Sequence, residues 1–297
     1  EVSSKVLEAG KHVYSEKPFV LTLEEGAALK QLAEPKGLRI GSAPDTFLGG
    51  AHQQARALID DGTLGQVTSG TAFVMSHGME HWHPNPDFFF LPGAGPVLDI
   101  GPYYVTNLVQ LLGPVTRVAA LSATPSKTRT ILSEPRKGEE IPVETPTTIH
   151  GLLHFARGAA INMSTLWDVW GPGHSPMELY GSEASLVVPE PNVVAGDLML
   201  TRANDEAEIV APWDHPFGVP NQDERANYRT AGLADMAQAI IEGRPHRCSM
   251  ELALHAVEVM TGLLKSGESG EFVSMTTTCE RPAALGPDEA RALLADA

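Results

Sequence analysis

The stretch HVYSEKPFVLTLEEG, His12–Gly26, decides how the chain is read. A β-rich run, HVYSE, stops on a charged pair, Glu16 and Lys17, and Pro18 follows at once. TLEEGAALKQLAEPKG then has the spacing of a helix, with Thr22 as N-cap and Glu25 three residues on, the pattern of a capping box. Before it, EVSSKVLEAGKH carries Val2, Val6 and Leu7 at helical spacing and ends at Gly10, a residue suited to a C-cap. After it, LRIGSAP reads as a second strand and FLGGAHQQARALIDDG as a third helix. Helix, strand, helix, strand, helix with short links is the pattern of a parallel sheet covered by helices. Every crossover helix in such a sheet follows a strand, so the opening helix suggests entry partway through a domain.

Beyond about residue 64 the rhythm changes. QVTSGTAFVMSHG reads as a long strand, and GPVLDIGPYYVTNLVQLLG as one helix behind a glycine-rich turn. VTRVAALSATPS, TTIHGLLHFARGAAINMSTLW, SPMELYGSEASLVVPE and DLMLTRANDEAEIVAP are strand-like, mostly separated by Gly, Pro, Asn or Asp, as antiparallel neighbours are. YRTAGLADMAQAIIEGR and SMELALHAVEVMTGLLKSGESG read as amphipathic helices, and EFVSM as a last strand. The expected fold class is α/β plus α+β: a partial doubly wound parallel sheet over residues 1–46, an α+β domain with a large, open, mostly antiparallel sheet over 47–275, and a tail over 276–297. Apolar residues on both alternations of TTIHGLLHFARGAAINMSTLW suggest a sheet face covered by another subunit, as in a homodimer or homotetramer.

The 297 residues include 21 Lys and Arg against 37 Asp and Glu, a net charge of −16, which argues against nucleic acid and anionic membrane as partners. It leaves room for an anionic cofactor, which needs only local helix N-termini or a few cations. No apolar run has the length of a membrane span. Two cysteines, Cys248 and Cys279, form no disulfide framework and point to a reducing, cytoplasmic setting.

In open parallel sheets ligands bind at the carboxyl ends of strands, where Lys17 stands. Pro18 fixes its own φ and biases Lys17 toward extended geometry, so the lysine is aimed; a solvated strand terminus would also look like this. In GAGPVLDIGPYY, Gly93 and Gly95 permit close backbone approach, and Asp99 and Tyr103, four apart on one expected helix, share a face, with Thr106 and Asn107 on or near it. The plainer alternative is an acid that complements the helix dipole beside a core tyrosine. SHGMEHWHPNPDFFF gathers His77, His81, His83 and Asp87, but Pro84 and Pro86 suggest an irregular loop and nothing completes a metal site. A sugar-facing loop, with Trp82 as stacking surface and the histidines as hydrogen-bond partners, fits better, and no metal is expected.

AGKHVYSEKPFVLTLEEGAAL, IDDGTLGQV, GAGPVLDIGPYY, ELYGSEASLVV and AIIEGRPHRCSMELALHAVEVM together resemble the glucose–fructose oxidoreductase / inositol dehydrogenase (Gfo/Idh/MocA-like) family along nearly the whole chain. The resemblance implies a Rossmann domain, NAD or NADP as cofactor, a substrate domain on a large open sheet, and sugars or cyclitols as substrates. It places Glu16, Lys17 and Pro18 beside the nicotinamide ribose. The family's glycine-rich dinucleotide loop has no counterpart before Glu16; by family proportions about three strand units, on the order of 70 residues, are not in the sequence. The 297 residues alone are therefore expected to bind dinucleotide poorly. On the substrate helix the family pattern is Asp, His four later, then Asp three further on; here the positions are Asp99, Tyr103 and Thr106, so only Asp99 carries over.

The implied reaction moves a hydride between nicotinamide and a secondary alcohol of a sugar, cyclitol or glycoside. Its base should titrate near the working pH, and an ammonium and a cationic nicotinamide would both favour a phenolate. Tyr103 assisted by Lys17 could thus replace the family histidine, with Asp99 orienting Lys17 and holding a substrate hydroxyl. Equally, Lys17 could pass the proton while Tyr103 positions the ring. Trp82, His83, Thr106 and His174, which follows WDVWGPG, are candidates for the rest of the sugar pocket. Two other readings keep the scaffold: a redox-neutral enzyme that oxidises, eliminates and re-reduces a sugar with tightly held NAD, and a non-catalytic sensor.

Overall fold

The structure, a computed structural model, describes residues 1–295. It opens with α1 (Val2–Glu8), β1 (Val13–Ser15), α2 (Leu23–Ala33), β2 (Ile40–Ser42) and α3 (Gly50–Asp60). β1 and β2 pair in parallel, Val13 opposite Ile40 and Ser15 opposite Ser42. The order expected from sequence is present, including the reciprocal cap at α2: the Thr22 hydroxyl accepts from the Glu25 N–H, and the Glu25 carboxylate accepts from the Thr22 N–H.

The remaining strands are β3 (Val67–Met75), β4 (Val115–Ala123), β5 (Thr128–Thr130), β6 (Glu140–Pro142), β7 (Thr148–Phe155), β8 (Ala160–Leu166), β9 (Met177–Gly181), β10 (Ala184–Val188), β11 (Met199–Arg202), β12 (Glu208–Ile209) and β13 (Val273–Ser274). Nine of them form one sheet in the order β12-β11-β10-β9-β3-β8-β7-β4-β13, while β5 and β6 make a separate hairpin. Every neighbouring pair in the large sheet is antiparallel except β3 and β8, as expected of a mostly antiparallel sheet.

One face of this sheet is covered by helices α4 (Gly95–Asp99), α5 (Gly101–Leu112) and α7 (Met250–Ser269). α6 (Ala231–Glu242) packs on β2, and α8 (Pro287–Ala295) packs on α6. Strand alternation explains the layering: on β7, Ile149, Leu153 and Phe155 face inward and are at most 1% exposed. Each such side chain contributes about 1.5–3 kcal/mol by leaving water. The outward alternation of β7 is Thr148, His150, Leu152 and His154. The apolar surface that motivates a covering subunit therefore shrinks here to Leu152 and, on neighbouring β4, Leu121, at 55% and 74% exposure.

One apolar core joins Leu7, Val13 and Ile40 of the first segment to Leu108, Leu153 and Leu263 of the rest. No helix of the described residues is long and apolar enough to cross a membrane.

Candidate active site

β1 ends at Ser15 and delivers Glu16 and Lys17 to its carboxyl tip. The Lys17 ammonium donates to the Asp99 carboxylate at 2.8 Å and also to the Asp99 backbone oxygen. The pair is mostly shielded, with side chains 16% and 19% exposed. Behind it Pro18, Pro44, Pro102, Thr106, Ala256 and Met260 leave a void of only about 10 Å3, room for one water at most. Asp99 takes two of the three ammonium N–H groups, and the third has no acceptor among the described residues.

The helix expected over residues 95–112 is broken at Ile100 into α4 and α5. Pro102 is the cause: it has no N–H, and its ring would clash with the carbonyl of Leu98 in a continuous helix. Asp99 and Tyr103 therefore do not lie on one face of one helix. They converge on Lys17 all the same, because Asp99 ends α4 while the first turn of α5 lays the Tyr103 ring 5.2 Å from the ammonium, centroid to nitrogen. This is a cation–π contact, worth about 0.5–2 kcal/mol.

The Tyr103 hydroxyl is turned elsewhere: Arg229 donates to it at 3.3 Å and stacks its guanidinium 5.5 Å from the ring centre. Sequence reasoning missed Arg229. It took YRTAG as the start of a helix, whereas α6 begins at Ala231 and Arg229 stands outside it. Nothing local announces a contact between residues 126 apart in sequence.

The other expected residues are placed differently. Glu16 is exposed and accepts from the Lys17 N–H. Thr106 is 3% exposed, on the wall beside Lys17. Trp82, 57% exposed, sits edge-on to His83, whose ring meets Phe88 and Phe89. His174 tilts against Phe73 on β3. Among the described residues no hydrogen bond or ring contact ties Trp82, His83 or His174 to Lys17, Asp99 or Tyr103. The 77–90 loop has its own anchor, also unforeseen: buried Arg129 bridges Glu80 and Asp168, and Asp168 accepts from Thr147 and Thr148. Among the described residues no three His, Cys, Asp or Glu side chains are grouped to hold a metal ion.

Beside Arg229 lies a cavity of about 770 Å3, bounded by the 192–196 loop and the 220–229 segment. Its first wall is held rigidly. Thr46 donates to the Pro191 carbonyl, Tyr104 bonds Glu190, and wholly buried His52 donates from Nε2 to the Val193 carbonyl at 2.7 Å while Nδ1 accepts from Asn107. Burial raises the pKa of Glu190 and pushes that of His52 down to about 4. The folded state thus holds fewer protons at His52 than the unfolded chain, whose imidazole titrates near 6.5. Stability from this site is complete above about pH 6.5 and falls as pH drops toward 4, by about 3 kcal/mol. Urea titrations across that range should show this loss, and His52→Gln should make it shallower, leaving the share of His215, His246 and His255, whose pKa burial also lowers; parallel curves for the two proteins would contradict the assignment.

Residues 1–43 match the family model described as an oxidoreductase family with an NAD-binding Rossmann fold, and residues 52–187 match the GFO/IDH/MocA C-terminal domain. The chain belongs to the GFO/IDH/MocA oxidoreductase family. An uncharacterised oxidoreductase of Schizosaccharomyces pombe is 33% identical over 156 residues, 48% of this chain and 41% of that protein. Levoglucosan dehydrogenase of Pseudarthrobacter phenanthrenivorans is 24% identical over 243 residues, 73% of this chain and 60% of the enzyme. An NAD-binding oxidoreductase from Klebsiella pneumoniae superposes with a TM-score of 0.75 at 21% identity over 93% of this chain and 76% of that one, a likeness of fold. The chain spans less than two thirds of the length of either sequence relative. For a GFO/IDH/MocA protein, the Lys17–Asp99 pair stands where a strand tip of the Rossmann segment meets the helices of the second domain.

Proposed function

We propose that this GFO/IDH/MocA protein exchanges a hydride between NAD(P) and a secondary alcohol of a sugar, cyclitol or glycoside, with Lys17 as the proton carrier. The observation that carries this reading is the 2.8 Å Lys17–Asp99 pair, shielded from water at the tip of a parallel strand. The sugar class is supported by the likeness to levoglucosan dehydrogenase. Residues at the tip suit the nicotinamide end of a dinucleotide: the exposed Glu16 carboxylate has the acceptor chemistry that ribose hydroxyls need, and the Lys17 ammonium keeps one N–H without an acceptor among the described residues. When bound, the nicotinamide supplies the two-electron acceptor or donor.

In the reducing direction the substrate carbonyl oxygen accepts a hydrogen bond from the third Lys17 N–H. As its carbon gains hydride, that oxygen takes the proton from Nζ and becomes the alcohol. Oxidation is the reverse: neutral Lys17 takes the alcohol proton. Asp99, holding two of the three N–H groups through its carboxylate and carbonyl, keeps the ammonium pointed at the reacting oxygen. The Tyr103 hydroxyl accepts from Arg229 and makes no hydrogen bond with Lys17; we assign it to substrate binding and the proton to Lys17.

Tyr103→Phe keeps the ring face toward Lys17 and removes only the hydroxyl. In the full-length protein it should raise KM about tenfold, the worth of one hydrogen bond, with the pH dependence of kcat unmoved. Loss of a limb of that pH profile would make the phenol the proton carrier instead.

A further inference from the structure

We propose that Arg229 is a positioning residue that fixes the Tyr103 hydroxyl as a hydrogen-bond donor to the substrate, an inference that rests on the Lys17–Asp99 reading above. A tyrosine hydroxyl has one proton and two lone pairs. Arg229 has no acceptor, so across the 3.3 Å contact it must donate, and the Tyr103 oxygen must accept. The phenolic proton is thereby left free of Arg229.

The guanidinium is itself clamped. Its other terminal nitrogen donates to both the carbonyl and the side-chain oxygen of Asn192, at 2.9 and 2.8 Å. The backbone that follows is forced: Thr230 has φ +87°, a left-handed conformation that a β-branched residue rarely adopts. Asp45, 5% exposed just beyond β2, holds it there by accepting from the N–H groups of both Thr230 and Gly232. Gly232 is required for this approach, since a Cβ there would lie 2.3 Å from the Tyr14 hydroxyl and 2.8 Å from the Asp45 Cβ. The two parallel strands thus serve one centre. The tip of β1 supplies Lys17, and the tip of β2, through Asp45, aims Arg229 at Tyr103.

The test is a double-mutant cycle in the full-length protein, read as kcat and KM separately. Arg229→Met should reduce kcat/KM about tenfold, chiefly through KM, matching Tyr103→Phe. Arg229→Lys, which keeps charge but loses the fork, should recover part of it. In the Tyr103→Phe background, Arg229→Met should change kcat/KM less than twofold. An undiminished loss in that background overturns the proposal, because Arg229 would then act through the Asn192 loop or on the ligand directly; so does the absence of any loss in the single variant. If Arg229→Met does not fold, the same cycle with Arg229→Lys decides it by the same criterion. Undiminished turnover by Lys17→Met would sink the underlying reading instead, whatever Arg229 does.

Discussion

Lys17→Met in the full-length protein is expected to lower kcat by about 10²–10⁴-fold, the usual worth of a positioned proton carrier, while leaving NAD(P) affinity within a few-fold. Methionine is close to lysine in length and unbranched, so the wall of Pro18, Pro102 and Met260 is still filled. What disappears is the ammonium that Asp99 grips at 2.8 Å and that faces Tyr103. The Asp99 carboxylate, 19% exposed, is left without its cation, so a modest loss of thermal stability should accompany the kinetic one. Calorimetric titration of the cofactor separates the two effects. Normal binding with failed turnover places Lys17 in the chemical step; turnover within a few-fold of the parent would mean the pair is an ordinary partly buried ion bridge.

The largest effect on stability is expected away from this centre, at Asp235 on α6. Its side chain is wholly buried and accepts from Arg247 Nη1 at 2.5 Å, from Arg244 Nη1 at 2.9 Å and from the Arg247 backbone N–H at 2.6 Å. Arg247, 6% exposed, in turn holds the carbonyls of Ala283 and Ala284 and the carboxylate of Glu289, tying the C-terminal segment to the body. Asp235→Ala strands that guanidinium without its inner counter-charge. A buried pair broken from one side costs about 3–5 kcal/mol, which for a chain of this size lowers Tm by roughly 10 °C. Asp235→Asn, which retains an acceptor for the Arg247 N–H, should fall between. Differential scanning calorimetry decides it: an unchanged Tm in the alanine variant would show that the tail is held by its other contacts. No hydrogen bond of Asp235 reaches Lys17, Asp99 or Tyr103 among the described residues, so activity per folded molecule should survive.

What could be read from sequence was what is local. The Thr22–Glu25 cap, the strand that ends on Glu16 and Lys17, and the period-two strands beyond residue 66 each depend on neighbours a few residues apart. The break in the substrate helix was also readable, since Pro102 stands in the sequence, but the apolar periodicity around it outweighed it. The Lys17–Asp99 meeting came only through family resemblance, because no spacing rule links residues 82 apart. Arg229 came through neither route. Its role depends on Asp45, on a left-handed Thr230 and on the 190s loop, a set of contacts assembled only by the packing of α6 onto β2. Trp82, His83 and His174 show the converse. Aromatic and imidazole groups in a Pro-rich loop suggested a sugar, yet their recorded ring contacts are with one another and with Phe73, Phe88 and Phe89.

Our proposal has an ammonium gripped by Asp99 serve hydride exchange at a sugar carbon. It is tested most directly by rapid mixing of the full-length protein with NAD(P) and a panel of sugars and cyclitols, followed at 340 nm. At least one member should give reduced nicotinamide, either accumulating with turnover or as a transient on the enzyme, and Lys17→Met should abolish the signal while still binding cofactor. Reduced nicotinamide formed just as fast without the Lys17 ammonium, or never formed with any member of the panel, would contradict it.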